Sequence, residues 1–201
     1  MPITTYTELK SAVADWLDHT LFAARVPDFI ALFEAAANRR LRTRFQEAAA
    51  MLTPSAGAAA LPADYLAWRR VTWTGATRAE LAYVHPSYLQ AAWPASPAGV
   101  PRIFTIEGAT LQIRPLDDTP LELGYFQKIP ALSDSLAGNW LLASHPDAYL
   151  FGTLAEAELF GVNDERAPTW KGRRDEILDE IERLSNKTRG AGAVRVMGVT
   201  P

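Results

Sequence analysis

The sequence predicts an α+β fold: a mainly helical core of about four helices, two N-terminal and two C-terminal, with a small antiparallel β insertion and an extended C-terminal tail. Three observations carry this. Apolar residues recur at helical spacing over residues 9–45 and again from residue 144 onward. The stretch between is cut into short apolar runs by regularly placed turn residues. The end of the chain follows a Gly-Ala-Gly hinge and has no helical period. At 201 residues, 48% hydrophobic and 21% charged, with a mean hydropathy of -0.07, the chain can bury a core of its own. These values predict a soluble, folded protein and exclude disordered, collagen-like and coiled-coil classes.

The first helix is predicted over 6–19. Thr5-x-x-Glu8 has the form of a capping box, in which hydroxyl and carboxylate satisfy main-chain N–H groups at the helix start. Leu9, Val13, Trp16 and Leu17 follow as one greasy face. A second helix opens at Pro27, whose missing N–H is no loss in a first turn, and carries Ile30, Phe33, Ala37, Leu41 and Phe45 as its stripe. The pair forms an antiparallel hairpin over 1–52. Residues 53–62, rich in Ala, Pro and Gly, read as an exposed loop that enters a β-rich insertion over 53–137. Runs at 68–74, 81–84, 102–105, 111–114 and 121–126 read as short strands of an antiparallel meander. Turns fall at Gly75-Ala76, Glu107-Gly108 and Asp117-Asp118-Thr119-Pro120, and 88–99 holds a short helical piece at most.

Helical texture returns over 138–186. Ser144-x-x-Asp147 is a second possible capping box, with Pro146 in the first turn. Tyr149, Leu150, Phe151, Leu154 and Leu159 make this helix apolar around much of its circumference, which suits a central position ending near Gly161. Pro168 opens the last helix, with Trp170, Ile177, Ile181 and Leu184 as its stripe. Lys171 with Asp175 and Asp179 with Arg183 are spaced as i,i+4 ion pairs on its wet face. Residues 187–201 read as a flexible basic tail.

Charge separates along the chain. The total is -3, but 144–186 holds ten acids and five bases, whereas 187–201 holds three bases and no acid. An acidic chain is not built to grip phosphates over its whole surface, so any nucleic-acid contact must be local. The absence of cysteine excludes disulfides, Cys-ligated zinc and thiol nucleophiles. No apolar run approaches the ~20 residues a bilayer helix requires, and the N-terminus has no secretion signal, so cytoplasmic synthesis without a membrane partner is expected.

Catalytic templates find no purchase. The three histidines read as structural: His19 at a helix C-terminus, and His85 and His145 each before a proline in a connection. No metal-ligand spacing, Gly-x-Ser-x-Gly elbow, Walker loop or dinucleotide fingerprint is present. No catalytic, cofactor-binding or metal-ligating residue is assigned, and no enzyme activity or cofactor is expected.

Two clusters remain. Arg39, Arg40, Arg42 and Arg44 fall within six positions, and on a helix Arg40 and Arg44 would stand one above the other. Such a cluster needs counter-charge. This comes from Glu34, Glu47 or the acidic C-terminal helix, from another subunit, or from nucleic-acid phosphates, so the four are candidate subunit-interface or channel residues. In the tail, Val194, Arg195, Val196, Met197 and Val199 alternate beyond the hinge, which suits a segment that docks on a partner as an added strand or in a groove.

Several stretches in order carry a resemblance. Leu61-Pro62-Ala63-Asp64-Tyr65-Leu66 precedes the Arg-Arg-Val-Thr-Trp strand, and Gly99-Val100-Pro101-Arg102-Ile103-Phe104-Thr105-Ile106 and Leu121-Glu122-Leu123-Gly124-Tyr125-Phe126 follow. Ala131-Leu132-Ser133-Asp134, Asn139-Trp140-Leu141-Leu142, His145-Pro146-Asp147-Ala148-Tyr149-Leu150-Phe151-Gly152 and Asn163-Asp164-Glu165-Arg166 complete the series. Over about residues 6–184 the chain resembles the head-to-tail adaptor proteins of tailed phages and phage-derived gene transfer agents. The resemblance implies a homo-oligomeric ring, usually of twelve copies, at the head–tail junction of the virion. Such a ring binds below the portal protein, lengthens the DNA channel with transient, non-specific contact to packaged DNA, and offers a platform to a tail, nozzle or stopper protein. It also implies that the C-terminal segment engages the portal. The alternative is a nucleic-acid-binding helical module that uses Arg39, Arg40, Arg42 and Arg44.

Overall fold

The computed structural model describes residues 3–17, 24–93, 97–161 and 166–189. The chain divides into two compact units, one formed by Met1–Phe45 with Ile129–Pro201 and the other by Gln46–Lys128. A β-rich segment is thus inserted between the two halves of a helical unit.

The helical unit contains α1 (Tyr6–Leu17), α2 (Val26–Arg40) and, after the insertion, further helices described below. The capping box at its start forms as expected: the Thr5 hydroxyl accepts the Glu8 N–H at 3.3 Å, and the Glu8 carboxylate accepts the Thr5 N–H at 3.0 Å. Glu8 also takes the Thr4 N–H and hydroxyl, and these bonds hold its carboxyl below the usual range. Helix α2 stops at Arg40 rather than running to residue 45, because Leu41 turns to extended backbone (ψ 133) while its side chain stays fully buried. Arg42 then folds back, its Nη1 donating to the carbonyls of Asn38 (2.8 Å) and Leu41 (2.6 Å), which the helix end leaves without an intrahelical partner.

The insertion carries β1 (Glu47–Leu52), β2 (Ala58–Ala60), β3 (Tyr65–Trp73), β4 (Ala79–Glu80), β5 (Ala82–Tyr83), α3 (Pro86–Ala92), β6 (Ile103–Glu107), β7 (Thr110–Arg114) and β8 (Leu121–Gln127). These strands form two four-stranded sheets, ordered β1-β8-β3-β4 and β2-β7-β6-β5. The expected small antiparallel meander is therefore corrected to two sheets, in which β5 pairs with β6 in parallel and the other pairs are antiparallel. Alternation places Val71, Trp73, Phe104, Leu111, Ile113, Leu121 and Leu123 in one core drawn from both sheets.

Two segments differ from their expected type. Residues 47–52, expected in the helical hairpin, form β1 and pair with β8 in unbroken register from Glu47↔Phe126 to Leu52↔Leu121. Within the expected loop, Ala58–Ala60 pairs with β7, entered by a tight turn at Ala56 (φ 50) and Gly57 (φ 72). Both central residues take positive φ, as the type I′ form of a two-residue hairpin turn requires, and Gly meets that demand without a Cβ penalty.

The chain returns to the helical unit through residues 129–139, then α4 (Trp140–Ser144), α5 (Pro146–Phe160) and α6 (Ala167–Arg189). Among the described residues the helical unit thus contains five α-helices rather than about four, α4 being the short addition, while α3 lies in the insertion, where a short helical piece was expected, and brings the described helices to six. Asn139 caps α4 by accepting the Leu142 N–H at 2.9 Å. The expected Ser144–Asp147 box does not form, because Ser144 ends α4 and Asp147 bonds to the adjacent Ala148 N–H. Helix α5 is the central helix, burying Ala148, Tyr149, Leu150, Leu154 and Ala157 against the core shared with Leu9, Val13, Phe29, Ile30 and Phe33. Gly152 permits the close α2–α5 approach, since a Cβ there would lie 2.0 Å from Cδ2 of Phe33.

Candidate functional site

The arginine cluster is split by the end of α2. Arg39 and Arg40 close the helix, whereas Arg42 and Arg44 lie beyond it, so Arg40 and Arg44 do not share a helical face. Arg40 reaches α6: its guanidinium meets Asp175 at 3.2 Å, bonds to Asp179, and stands 3.8 Å from Glu182. The acidic C-terminal helix therefore supplies counter-charge to this arginine within the same chain. Asp175 and Asp179 are engaged across helices instead of in the expected i,i+4 pairs with Lys171 and Arg183. Arg174, almost buried, extends the network to Asp175 (3.1 Å) and to Glu156 of α5 (3.4 Å).

Arg40→Ala should leave Asp175, Asp179 and Glu182 facing one another on one side of α6 without this cation. These groups are a third to just over a half exposed, so solvent screening limits the expected loss to about 1 kcal/mol. Thermal melts at low and high salt check this, with a drop of about 2–4 °C that shrinks as salt rises.

Arg42 is spent on the end of α2, as described above. Arg44 donates its main-chain N–H to the Ser185 hydroxyl at 3.2 Å, and its guanidinium lies 4.9 Å from the centre of the Phe45 ring. Phe45 in turn stacks on Trp140 with centroids 5.3 Å apart. Arg44, Phe45, His145, Ile181, Leu184 and Lys187 line a recess of about 330 Å³. Arg39 is exposed and lines a separate groove of about 510 Å³ with Ala36, Leu159 and Lys171.

A second polar assembly lies inside the helical unit. Glu34 falls within the apolar stripe of α2 and is 5% exposed. Its Oε1 accepts the Leu132 N–H and the Tyr149 hydroxyl, both at 2.9 Å. The Tyr149 oxygen accepts from Asn139 Nδ2 at 2.6 Å, and that amide also donates to the Pro130 carbonyl at 2.8 Å. One turn further along α2, Asn38 accepts the Ile129 N–H at 2.8 Å. Glu34 and Asn38 therefore hold the irregular 129–139 segment by its main chain, as a neighbouring strand would. Burial pushes the Glu34 carboxyl up, partly offset by its two hydrogen bonds, and burial with the adjacent Glu34 pushes the Tyr149 phenol up. Glu34 is thus not a partner of the arginine cluster; the signal was its position between Phe33 and Ala37 on the buried face.

The β unit presents charge pairs across its strands: Arg69 with Glu47, and Arg70 (2.8 Å) and Arg78 with Glu122. The two arginines hold the Glu122 carboxyl below its ordinary range, Arg78 most strongly. Val100 is exposed, as are Ala76 and Thr77 of the turn after β3. His85 caps α3, its Nδ1 accepting the Ser87 N–H at 3.3 Å. Asp117 accepts the Thr119 N–H at 2.5 Å, a turn contact in keeping with its place before Pro120.

Among the described residues no group of three or more His, Asp or Glu side chains could hold a metal ion, and no helix is long and apolar enough to cross a membrane. Val194, Arg195, Val196, Met197 and Val199 of the tail, and His19, lie outside the described residues.

No curated protein matches the chain. The family model of the SU10 adaptor protein matches residues 4–197, which takes in both units. With that match across nearly its whole length, the chain belongs to the SU10 adaptor protein family, a family of phage head-to-tail adaptors.

Proposed function

We propose that this phage adaptor works as a ring of twelve copies seated under the portal, extending the DNA channel and joining it to the tail or to a nozzle or stopper protein. The observation that carries this reading is the family match over residues 4–197. Its mechanism is repetition. Each subunit contributes a modest, partly polar contact, and linkage of the copies in one ring raises the effective concentration of every other contact. The exposed turn at Gly75-Ala76-Thr77 and the loop reaching Val100 suit contact with the next ring. The excess of acids over 144–186 suits a wall along which DNA slides without being held. The basic, alternating segment from Val194 to Val199 reaches the portal.

The alternative, a nucleic-acid-binding module built on the arginine cluster, is weakened by the pairing of Arg40 with Asp175 and Asp179 and by the role of Arg42 at the helix end. The test is native mass measurement of the full chain with its portal protein. The ring reading expects a complex with twelve adaptor copies, and removal of residues 189–201 should leave a folded subunit that no longer attaches. A portal that binds no adaptor would refute the reading, and unchanged attachment of the shortened chain would refute the role of the tail.

A further inference from the structure

Two grooves on the helical unit carry opposite charge. The first, of about 620 Å³, lies between α1 and the start of α5 and is lined by Glu8 and Asp15 with Ile3, Ala12, Trp16 and Leu150; no basic side chain lines it. Trp16 is 50% exposed, yet its ring is held by edge contacts to Phe151 (6.1 Å) and Trp170 (5.6 Å). The second is the groove of about 510 Å³ lined by Arg39 and Lys171. Ala36, Ala155 and Ala167 line it with side chains small enough to leave it open, beside Leu159, which is 61% exposed. Glu156, the one carboxylate among its lining residues, is paired with Arg174 at 3.4 Å. Asp15, Arg39 and Lys171 are all exposed, and none makes a hydrogen bond or ion pair with any described residue. The grooves also face opposite ways. Leu150 lines the first and Leu159 the second, and their separation along α5, about two and a half turns, puts them on opposite sides of that helix.

An exposed tryptophan beside an unpaired charge has the chemistry of an interface anchor. Neither groove suits a copy of itself, because self-pairing sets Asp15 against Asp15, or Arg39 and Lys171 against their own copies. Acid meets base only when the first groove of one copy meets the second groove of another. We propose that the Asp15 and Trp16 face of one copy seats in the Arg39 and Lys171 groove of the next. The exposed part of the Trp16 ring enters the space the alanines leave beside Leu159, and Asp15 pairs with Arg39 or Lys171. Such a contact is heterologous, and its repetition closes a ring. Mating faces that point nearly opposite ways fit that ring, since successive copies among twelve turn by only about 30°. This contact rests on the ring reading above and names the two surfaces that would build the ring.

Charge reversal tests this with the full chain and its portal protein, read by native mass. Asp15→Arg and Lys171→Glu each set like charges together at every contact, and each should raise the adaptor concentration needed to fill the portal by about ten-fold or more. Both changes suit their helices, a base in the last turn of α1 and an acid near the start of α6, so the separate subunit should melt no lower than the parent. Asp15→Arg with Lys171→Glu in one chain restores opposite charges at each contact and should return assembly to within about three-fold of the parent. A second measurement uses the unaltered chain. Carbodiimide treatment of the assembled particle joins a carboxylate to an adjacent amine, and peptide mapping should find Asp15 of one copy joined to Lys171 of another. If a ring forms but single reversals have no effect, the double reversal is no better than either single one, or Asp15 is joined only to portal or tail protein, the proposed surfaces are wrong while the ring stands. If no ring of this chain forms on the portal or in the particle, the ring reading falls and this contact with it.

Discussion

Glu34→Ala is expected to destabilise the helical unit by about 3–5 kcal/mol. The substitution removes the acceptor of two buried donors at once, the Leu132 N–H and the Tyr149 hydroxyl, and each orphaned group carries a penalty of about 1–3 kcal/mol. It also frees the 129–139 segment from one of its two anchors on α2, the other being Asn38. Glu34→Gln keeps an acceptor oxygen of the same reach and should stay within about 1 kcal/mol of the parent. The pair separates the hydrogen bonds from the charge, and denaturant melts followed by a helical signal read both.

The pH dependence has a definite sign. Burial holds the folded Glu34 carboxyl above its ordinary value, so between those two values the folded state binds the proton more tightly than the unfolded chain. The stability this gives is fully present below the ordinary glutamate range and is lost as pH rises through the raised folded value. Parent stability should therefore fall with rising pH across that window relative to Glu34→Gln, and a difference that does not change with pH would contradict the assignment.

Gly152→Ala is the second large effect. In an open helix the change would be favourable by about 1 kcal/mol, because Ala restricts the unfolded chain and suits the helix. Here the new methyl would lie 2.0 Å from Cδ2 and 2.3 Å from Cε2 of Phe33, a fully buried ring packed edge-on against Tyr149 at 5.0 Å. Phe33 has no open space to rotate into, so α2 and α5 must separate. A net loss of about 2–3 kcal/mol is expected, or about 5–10 °C in the melting of the helical unit. Combining it with Phe33→Leu should recover part of the loss, giving a coupling of about 1 kcal/mol or more in a double-mutant cycle. Additive losses would show that the two side chains do not meet.

What the sequence made legible depended on whether local chemistry and tertiary contact agreed. Helices α1, α2, α5 and α6 carry their apolar stripes openly, and the Thr5–Glu8 cap forms as its spacing requires. Strands β3, β6, β7 and β8 announce themselves by alternation and by the turns between them. Strand β1 does not. Glu47-Ala48-Ala49-Ala50-Met51-Leu52 is composed of good helix formers, and only its pairing with β8 overrides that preference. Ala58–Ala60 was hidden for the same reason, since it becomes a strand through β7 rather than through its own residues.

The arginine cluster was legible as a run of charge but not as four different environments. Those arose where the helix ended, at Leu41, and nothing in the stripe of Leu41 and Phe45 marks that point. Glu34 and Arg40 show the limit most clearly. Each is an ionisable residue of α2 whose partners lie about a hundred residues or more away in the chain, at Leu132 and Tyr149 for one and at Asp175 and Asp179 for the other. No local spacing encodes such pairs.

Whether this chain forms a ring at the head–tail junction is read from a density map of that junction in the assembled particle, with the chain traced in it. The expected map shows a closed ring of subunits of this fold between portal and tail, encircling the DNA path. A junction in which the chain is absent, or bound as isolated copies off the axis, would contradict it.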